Sequence, residues 1–342
     1  MSLPTRPLGS SGLEITTVGF GAWAIGGGGW YSGWGPQDDG VSIAAMRHAV
    51  ERGINWIDTA AVYGLGHSEE VVGRFLREIS KNDRPLVFTK CGFTWDERNP
   101  MAEAKRNLRP ESIRRECEAS LRRLGVERID LYQFHRPDDT GTPVEDSWAT
   151  MVRLIEEGKV RAGGVSNFKV DLLQRCEALR HVDSLQPPFS VINRDAAADV
   201  VPWCAAHETG VIVYSPMQSG ILTERFDKTR MATLAADDWR RTAKYFQEPL
   251  LTSGLALRDA LRPIAHRHGA GVPDVAVAWV LAWSGVTGAI VGARSPDQVD
   301  GWIGGATLEL TPEDLDEIAA AVERTGAGSG PVHPKVGASA GR

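Results

Sequence analysis

The sequence of 342 residues has no uninterrupted apolar run close to the roughly 20 residues that a membrane-spanning helix requires. Its opening residues are not followed by the apolar core of a secretory signal. It has only four cysteines, and their wide spacing provides neither a CxxC motif nor the paired framework of a small secreted domain. Positive charge is not in excess either, because 38 Lys and Arg stand against 44 Asp and Glu and leave a formal net charge of −6, which argues against nucleic-acid binding. We therefore expect a cytoplasmic protein that binds a small molecule, and the sequence leaves its oligomeric state open.

The motifs of several enzyme classes are missing as well. The sequence contains no GxSxG elbow, no P-loop and no HExxH zinc site, and no metal is expected. The segment Gly19 to Ala24 does match the dinucleotide fingerprint GxGxxA. That fingerprint requires a helix whose N-terminus meets a pyrophosphate, whereas Gly26 to Gly29 follow here and no helix is expected before about Asp39. We interpret the segment as a strand that ends in a glycine-rich loop.

The pattern of hydrophobic residues indicates the fold. Short β-branched and aromatic runs alternate with segments of helical period, which is typical of βα units around a parallel sheet. The eight predicted strands cover residues 17–23, 55–59, 86–91, 129–135, 161–166, 184–186, 211–216 and 289–292. Helices are predicted near residues 40–52, 68–79, 110–124, 144–157, 170–180, 197–208, 253–268 and 295–303. Because no change of composition marks a linker, the sequence predicts an α/β fold with a single (β/α)8 TIM barrel rather than two doubly wound halves.

The barrel is expected to occupy residues 1–325, with additions. A polar, irregular insertion at about 218–250 follows the seventh strand, and extra helices are predicted at 272–283 and 311–325. The tail, residues 326–342, is rich in Gly, Ala, Pro and Ser. We expect this tail to pack loosely unless His333 and its neighbours dock.

Three ionisable residues stand at the ends of consecutive predicted strands: Asp58, Lys90 and His135. Each follows apolar residues, where a charge is costly unless it is paired, and a barrel gathers such strand ends at one face. Tyr63 follows Asp58 in the adjoining loop, so the four could share one cavity. The ammonium of Lys90 is expected to lower the pKa of the Tyr63 hydroxyl, while Asp58 keeps Lys90 charged. Tyr63 could then protonate a substrate oxygen held by His135, which serves carbonyl reduction if a hydride is supplied.

Six ordered motifs make the chain resemble the aldo-keto reductase family over about residues 6–325. They are Gly53 to Gly64, Phe88 to Lys90, Asp130 to His135, Gly164 to Phe168, Tyr214 to Pro216 and Gly292 to Gln298. The resemblance implies a (β/α)8 barrel with a cofactor-covering loop after strand 7, NADPH as the hydride donor, and an aldehyde or ketone as the substrate. It also implies that Asp58, Tyr63, Lys90 and His135 are the catalytic residues.

The same motif matching implies a cofactor site. Ser166, Asn167 and Gln186 would hold the carboxamide, and Tyr214 would stack on the nicotinamide ring. Arg294 would meet the adenosine 2′-phosphate, for which a guanidinium fork is well suited. The full set of implied cofactor residues is Gly21, Ala22, Trp23, Asp58, Ser166, Asn167, Gln186, Tyr214, Ser215, Pro216, Met217, Gln218, Ser219, Gly220, Leu222, Arg240, Gly292, Ala293, Arg294 and Gln298.

Two positions depart from the family pattern. Trp302 stands where an acidic or amide residue is common, so NADH is kept as a weaker alternative to NADPH. Met217 to Gly220 replace the usual leucine and glycine after the Tyr-Ser-Pro motif, which could alter the loop along the pyrophosphate.

Tryptophan is unusually frequent, with 11 Trp against nine Phe. Trp23, Trp30 and Trp95 are expected in loops at the mouth of the barrel, where they would form the substrate pocket together with Tyr63 and His135. No cluster of Lys or Arg is evident there. We therefore predict aldehydes and activated ketones as substrates in preference to phosphorylated sugars.

Two other functions fit part of the sequence. A barrel aldolase would use Lys90 to form a Schiff base, although the Tyr-Ser-Pro and Gly-Ala-Arg motifs argue against it. A non-catalytic NADP(H)-binding regulatory subunit, similar to the channel β subunits that resemble this family, could keep all four catalytic residues. Hydride transfer to a carbonyl compound would separate the reductase from both.

Overall fold

A closed barrel of eight parallel strands forms the centre of the computed structural model, which describes residues 2–334. The strands follow one another around the barrel in chain order, which confirms the predicted (β/α)8 fold. We number them β1 (Val18–Gly21), β2 (Trp56–Asp58), β3 (Leu86–Cys91), β4 (Ile129–Phe134), β5 (Val160–Ser166), β6 (Ser184–Gln186), β7 (Gly210–Tyr214) and β8 (Gly288–Gly292). Each predicted strand is present, with its ends shifted by at most a few residues.

Helices surround the barrel. They are α1 (Asp39–Glu51), α2 (His67–Glu78), α3 (Pro110–Leu124), α4 (Val144–Glu156), α5 (Val170–Glu177), α6 (Val200–Ala206), α7 (Lys228–Ala232), α8 (Leu250–Arg267), α9 (Val272–Leu281), α10 (Pro296–Asp300) and α11 (Pro312–Thr325). Local signals set their ends: Asp38 caps α1 by accepting from the Val41 amide, and α3 begins with Pro110 and ends at Gly125, which has φ 67°. No helix between residues 2 and 334 is both long and apolar enough to cross a bilayer.

An N-terminal hairpin, Thr5–Pro7 paired with Glu14–Thr16, closes one end of the barrel. Leu8, Leu13 and Ile15 of this segment are fully buried in the barrel interior, where they join Trp56 at the start of β2. The indole Nε1 of Trp56 donates to the carbonyl of Thr16 at 2.8 Å. The amino ends of the strands are therefore filled with side chains, and space for a ligand remains only at the carboxyl ends.

The glycine-rich segment after β1 has the conformation expected of a loop. A single 3₁₀ turn, Ala24–Gly26, follows the strand, and the first α-helix begins only at Asp39. A Cβ atom on Gly26 would lie 2.8 Å from the Gly64 amide nitrogen and 3.0 Å from the Tyr63 carbonyl carbon. Glycine thus allows this loop to pass directly against the loop that carries Tyr63.

The described part of the tail, residues 326–334, packs against the barrel. The guanidinium of Arg194 donates to the carbonyl of Ala327 at 3.0 Å, and Ala327 is buried. His333 pairs with Asp316 of α11 at 2.9 Å. Ala327 is thus anchored to the barrel while most of residues 326–334, His333 included, are exposed; the loosely packed tail stays a prediction, and residues 335–342 lie outside the described residues.

Candidate active site

A cavity of about 1010 Å³ opens at the carboxyl ends of the barrel strands. It brings together side chains that lie far apart in the chain, because they come from the ends of several different strands. Most of the residues predicted for a site line it: Gly21, Ala22, Trp23, Trp30, Asp58, Tyr63, His135, Ser166, Asn167, Gln186, Tyr214, Ser215, Pro216, Met217, Ser219, Gly220, Arg240, Gly292, Ala293, Arg294 and Gln298.

A buried ion pair forms the floor of this cavity. The Nζ atom of Lys90, on β3, lies 2.5 Å from Oδ1 of Asp58 at the end of β2. It also donates to the carbonyl of Thr59 at 2.9 Å and lies 3.4 Å from the Tyr63 hydroxyl oxygen. The side chain of Lys90 is wholly buried, so its charge is balanced by Asp58 and directed at Tyr63.

Two amides fix the other carboxylate oxygen of Asp58. Nε2 of Gln186 donates to Oδ2 at 2.9 Å, and Nε2 of Gln133 lies 3.4 Å from the same atom. Gln186 was predicted to hold a carboxamide, and in this structure its amide is directed at Asp58. Gln133 was not predicted, although it lies two residues before His135 and strand alternation puts both on one side of β4.

His135 lies beside Tyr63, just after β4. The two rings meet edge to face with centroids 5.5 Å apart, and Phe93 packs against the His135 ring in the same manner at 5.1 Å. Burial, together with the charges of Lys90 and Arg136, holds the pKa of His135 well below its usual value. The imidazole is therefore neutral at neutral pH, with one N–H available to donate.

The pKa of Tyr63 differs from the sequence-based expectation. Burial raises the pKa of its hydroxyl well above the usual value, and the negative charge of Asp58 raises it further. The net shift is opposite to the lowering expected from Lys90, because burial and the charge of Asp58 dominate. Tyr63 is thus a protonated phenol at neutral pH, which is the form that an acid needs.

A chain of hydrogen bonds joins β4 to β7 across the cavity. The hydroxyl of Tyr214 donates to Oδ1 of Asn167 at 2.8 Å, and Nδ2 of Asn167 donates to the carbonyl of His135 at 3.0 Å. The Ser166 hydroxyl donates to the Gln186 carbonyl at 2.7 Å. Asn167 has φ 62°, a left-handed conformation that non-glycine residues seldom adopt. The amide of Asn167 is thereby held between the tyrosine ring and the histidine strand.

Two residues of the segment after β7 do not line the cavity. Leu222 is fully buried in the hydrophobic core, and the side-chain oxygen of Gln218 accepts a hydrogen bond from Ser190 at 2.7 Å. The tight turn at Gln218–Gly220 reverses the chain within three residues and points these two side chains inward. Their side chains are therefore turned away from the cavity, and their contact with a cofactor stays a prediction, whereas Ser219 and Gly220 between them do line the cavity.

The cavity extends to the end of β8, where Arg294 is fixed by neutral acceptors. Its Nε donates to the side-chain oxygen of Gln37 at 2.6 Å, and its guanidinium also donates to the carbonyls of Trp34 and Pro36. The amide of Arg294 donates to the side-chain oxygen of Gln298 at 2.9 Å. Within residues 2–334 no carboxylate forms an ion pair with Arg294, so its positive charge remains available to an anion.

Two loops meet above the end of β8, and we call their contact the tryptophan bridge: residues 22–38 after β1 and residues 218–246 after β7. Trp239 stacks on Trp23 with centroids 4.9 Å apart, and it meets Trp34 edge to face at 5.6 Å. The guanidinium of Arg240 lies over the Trp34 ring at 4.5 Å, a cation–π contact. The irregular insertion is therefore attached to the glycine-rich loop by aromatic rings.

The predicted tryptophans have different positions. Trp23 also stacks on Tyr63 with centroids 6.0 Å apart, and Trp30 lines the cavity while its Nε1 donates to the Gly27 carbonyl at 3.1 Å. Trp95 does not line the cavity; it is half-buried and packs against the aromatic cluster that contains Trp30 and Phe93. Its contact with a substrate stays a prediction.

Sequence reasoning also missed a basic residue. Arg136 follows His135 and lines the cavity, near enough to influence the pKa of Tyr63, Tyr214 and His135. The sequence signal that could have identified Arg136 is its position directly after His135, a residue predicted at the end of a strand.

Fold and cavity together define the class: a (β/α)8-barrel protein with a Lys-Asp-Tyr-His cluster at the carboxyl ends of its strands. The family model described as "Aldo/keto reductase family" matches residues 17–323. The chain belongs to the aldo/keto reductase family, whose members use nicotinamide cofactors.

Individual relatives agree with this assignment. The chain is 34% identical to the aldo-keto reductase YhdN of Bacillus subtilis over 93% of each sequence. It is 32% identical to an NADH-specific methylglyoxal reductase of Escherichia coli, over 93% of this chain and 99% of the relative. Among solved structures, a glycerol dehydrogenase from Gluconobacter oxydans superimposes with a TM-score of 0.83 at 37% identity and covers 98% of both chains.

Proposed function

We propose that the protein reduces aldehydes and activated ketones to alcohols, reversibly, with NADPH as the hydride donor. The observation that carries the proposal is the buried Lys90–Asp58 pair directed at the protonated hydroxyl of Tyr63, at the floor of a cavity of about 1010 Å³. Volumes of this order suit organic cofactors and their substrates. When bound, NADPH supplies the hydride that adds to the carbonyl carbon.

The residues of this chain would then transfer a proton to the carbonyl oxygen. Neutral His135 donates a hydrogen bond to the carbonyl oxygen and orients it beside Tyr63. As negative charge builds on that oxygen, the O–H bond of Tyr63 breaks and its proton moves to the oxygen, which completes the alcohol. The phenolate left on Tyr63 is stabilised by the ammonium of Lys90, 3.4 Å away, until a proton from solvent restores the hydroxyl.

The cavity extends from the end of β5 to the end of β8, and the dinucleotide would lie along this path. Ser166 and Asn167 line the cavity where a carboxamide would bind and would exchange or share their present hydrogen bonds with it, and the ring of Tyr214 is available for stacking. Ser215, Ser219 and Gly220 follow as a polar stretch of chain suited to phosphates.

Preference for NADPH over NADH rests on Arg294. Its guanidinium has only neutral partners, and the cavity wall beside it carries Arg230, which likewise forms no ion pair among the described residues. Arg240, in contrast, is balanced by Asp238 at 2.6 Å. Two uncompensated guanidinium groups at this end favour a cofactor with an additional phosphate.

The test is an absorbance assay of cofactor oxidation with NADPH and, separately, NADH, over aromatic and aliphatic aldehydes, activated ketones and sugars. We expect carbonyl-dependent oxidation, with the larger kcat/KM for NADPH, and expect Arg294→Leu to reduce the ratio of NADPH to NADH kcat/KM by about tenfold or more. Tight cofactor binding without turnover of any carbonyl compound would contradict the proposal and favour a regulatory subunit. Equal ratios in the wild type and the variant would contradict the role of Arg294.

A further inference from the structure

Arg136 lines the cavity wall directly after His135. The two residues are adjacent in the chain and both line the cavity, because β4 ends at Phe134 and Arg136 lies beyond the alternation that puts Gln133 and His135 on one side. Arg136 is half-buried. Its guanidinium lies beside the Tyr214 hydroxyl, and its charge is felt at Tyr63 and His135.

The charge of Arg136 has no counterpart in the described chain. No carboxylate of residues 2–334 comes within 4.0 Å of its guanidinium, whereas Arg240 of the same cavity wall is paired with Asp238. A guanidinium withdrawn partly from water without an anion is unfavourable, and binding a planar carboxylate through two parallel hydrogen bonds removes that cost. The wall beside the reacting position is thus built for an anion that the protein does not itself provide.

Barrel topology separates this arginine from the phosphate-binding end. In an eight-stranded barrel β4 and β8 lie opposite each other, four strands apart in either direction. Arg294 follows β8 and Arg136 follows β4, so their backbones stand on opposite sides of the mouth, and the Arg136 side chain reaches inward to the Tyr214 hydroxyl. The phosphates of a cofactor whose adenosine end lies at Arg294 would follow β7 and β8, so we assign the anion that reaches Arg136, beside Tyr63 and His135, to the substrate.

We propose that Arg136 binds a carboxylate of the substrate, and that the preferred substrates of this protein are oxo acids, small carbonyl compounds that carry a carboxylate. The inference rests on the proposed carbonyl reductase function and narrows its substrate class. Trp30 and Phe93 line the same part of the cavity and would cover the apolar portion of such a molecule, while the carbonyl oxygen lies between Tyr63 and His135.

The test compares each of 2-, 3- and 4-carboxybenzaldehyde with its methyl ester, which has the same ring and carbonyl but no charge. We measure kcat/KM for wild type, Arg136→Leu and Arg128→Leu. Arg128 is an exposed arginine at the amino end of β4, so its replacement removes the same charge far from the cavity. In the wild type we expect one of the three acids to exceed its ester, and Arg136→Leu should lower that acid-to-ester ratio by roughly 30-fold. Arg128→Leu should leave the ratio near that of the wild type.

Three results would overturn the proposal. Equal losses for acid and ester in Arg136→Leu would show that Arg136 acts on Tyr63 or on the cofactor. Acid-to-ester ratios near one for all three isomers in the wild type would show that the cavity does not recognise a carboxylate. A preference for glyceraldehyde 3-phosphate over glyceraldehyde, without any preference for the acids, would show that the anion recognised is a phosphate.

A binding measurement separates this proposal from the failure of the reductase function. Calorimetric titration of the protein, saturated with NADP⁺, uses 4-(hydroxymethyl)benzoate and its methyl ester, and repeats both with the 3-isomers. Tighter binding of an acid than of its ester, reduced in Arg136→Leu, supports the carboxylate site even if no carbonyl compound is reduced. Equal affinities for acid and ester in every case overturn it, whatever the activity.

Discussion

The strand-end cluster of Asp58, Lys90, Tyr63 and His135 meets the tryptophan bridge where Trp23 stacks on Tyr63, and the two are stabilised differently. In the cluster, Asp58 and Lys90 are buried charges whose atoms lie 2.5 Å apart, and amides hold the remaining oxygen. In the bridge, the contacts between the two loops are ring stacks such as Trp23 with Trp239 and the cation–π contact of Arg240, whose charge is balanced by Asp238. Removing one partner of a buried ion pair leaves an uncompensated charge, whereas one aromatic contact contributes only about 0.5 to 1.5 kcal/mol. We therefore expect changes in the cluster to have larger effects than changes in the bridge.

The largest effect should come from removing the acid in the cluster. Tyr63→Phe deletes the only atom that is proposed to give a proton to the substrate, so kcat for reduction should fall by roughly a thousandfold. The dissociation constant for NADPH should change little, because the ring that stacks on Trp23 is retained. Turnover close to that of the wild type in this variant would contradict the role of Tyr63 as the acid.

Glu116 is a buried carboxylate that holds the backbone directly after β3, the strand that carries Lys90. Its buried carboxylate accepts from the Gly92 amide at 2.8 Å and from the Ser112 hydroxyl at 2.9 Å, directly behind Phe93. Burial raises the pKa of Glu116 to about 7. In the unfolded chain the pKa of this carboxyl is about 4.5, so between that pH and pH 7 the unfolded chain loses the proton while the folded chain keeps it. The free energy of unfolding therefore falls as pH rises through this window, by up to about 3 kcal/mol.

Glu116→Gln should abolish this loss, and Glu111→Gln, an exposed glutamate of α3, is the control. Urea unfolding at about pH 5 and pH 8 measures the difference in the free energy of unfolding for each protein. Wild type and Glu111→Gln should lose more stability than Glu116→Gln between the two pH values. An identical pH dependence in all three proteins would show that Glu116 is not a buried carboxylic acid with a raised pKa.

The sequence was informative where a side chain is positioned by a strand. Asp58, Lys90 and His135 were predictable because each stands at the end of an apolar run, and register alone carries such residues to one face. The inward direction of the Leu222 and Gln218 side chains could not be predicted, because a three-residue turn, which leaves no pattern of hydrophobicity, decides it. The raised pKa of Tyr63 could not be predicted either, since it depends on how completely the loops exclude water.

A smaller effect is expected in the bridge. Trp239→Ala removes the stack on Trp23 and the edge contact with Trp34, which together are worth about 1 to 2 kcal/mol. NADPH should therefore leave roughly tenfold faster, as followed by its own fluorescence in stopped flow, while the chemical step is retained. Trp203→Ala, a stacked tryptophan on α6 away from the cavity, is the matched control, and an unchanged release rate in Trp239→Ala would mean that the bridge does not cover the cofactor.

The smallest effect should be that of pH on the reaction itself. Burial keeps Tyr63 protonated and His135 neutral, so kcat for reduction should vary less than about threefold between about pH 6 and pH 8. Rapid-quench measurement of a single turnover isolates the chemical step. A loss centred near pH 7 would contradict this expectation and would indicate that ionisation of Glu116 reaches the cluster through Phe93.

The tryptophan bridge also gives the protein an optical property. Three of its 11 tryptophans, Trp23, Trp34 and Trp239, lie in mutual contact at the rim of the cavity. Indole emission overlaps the absorption of a reduced nicotinamide, so a cofactor beneath the bridge should accept excitation from these rings and re-emit it. The distance between the bridge and a bound cofactor can therefore be followed in the unlabelled protein as energy transfer, without any dye attached to either loop.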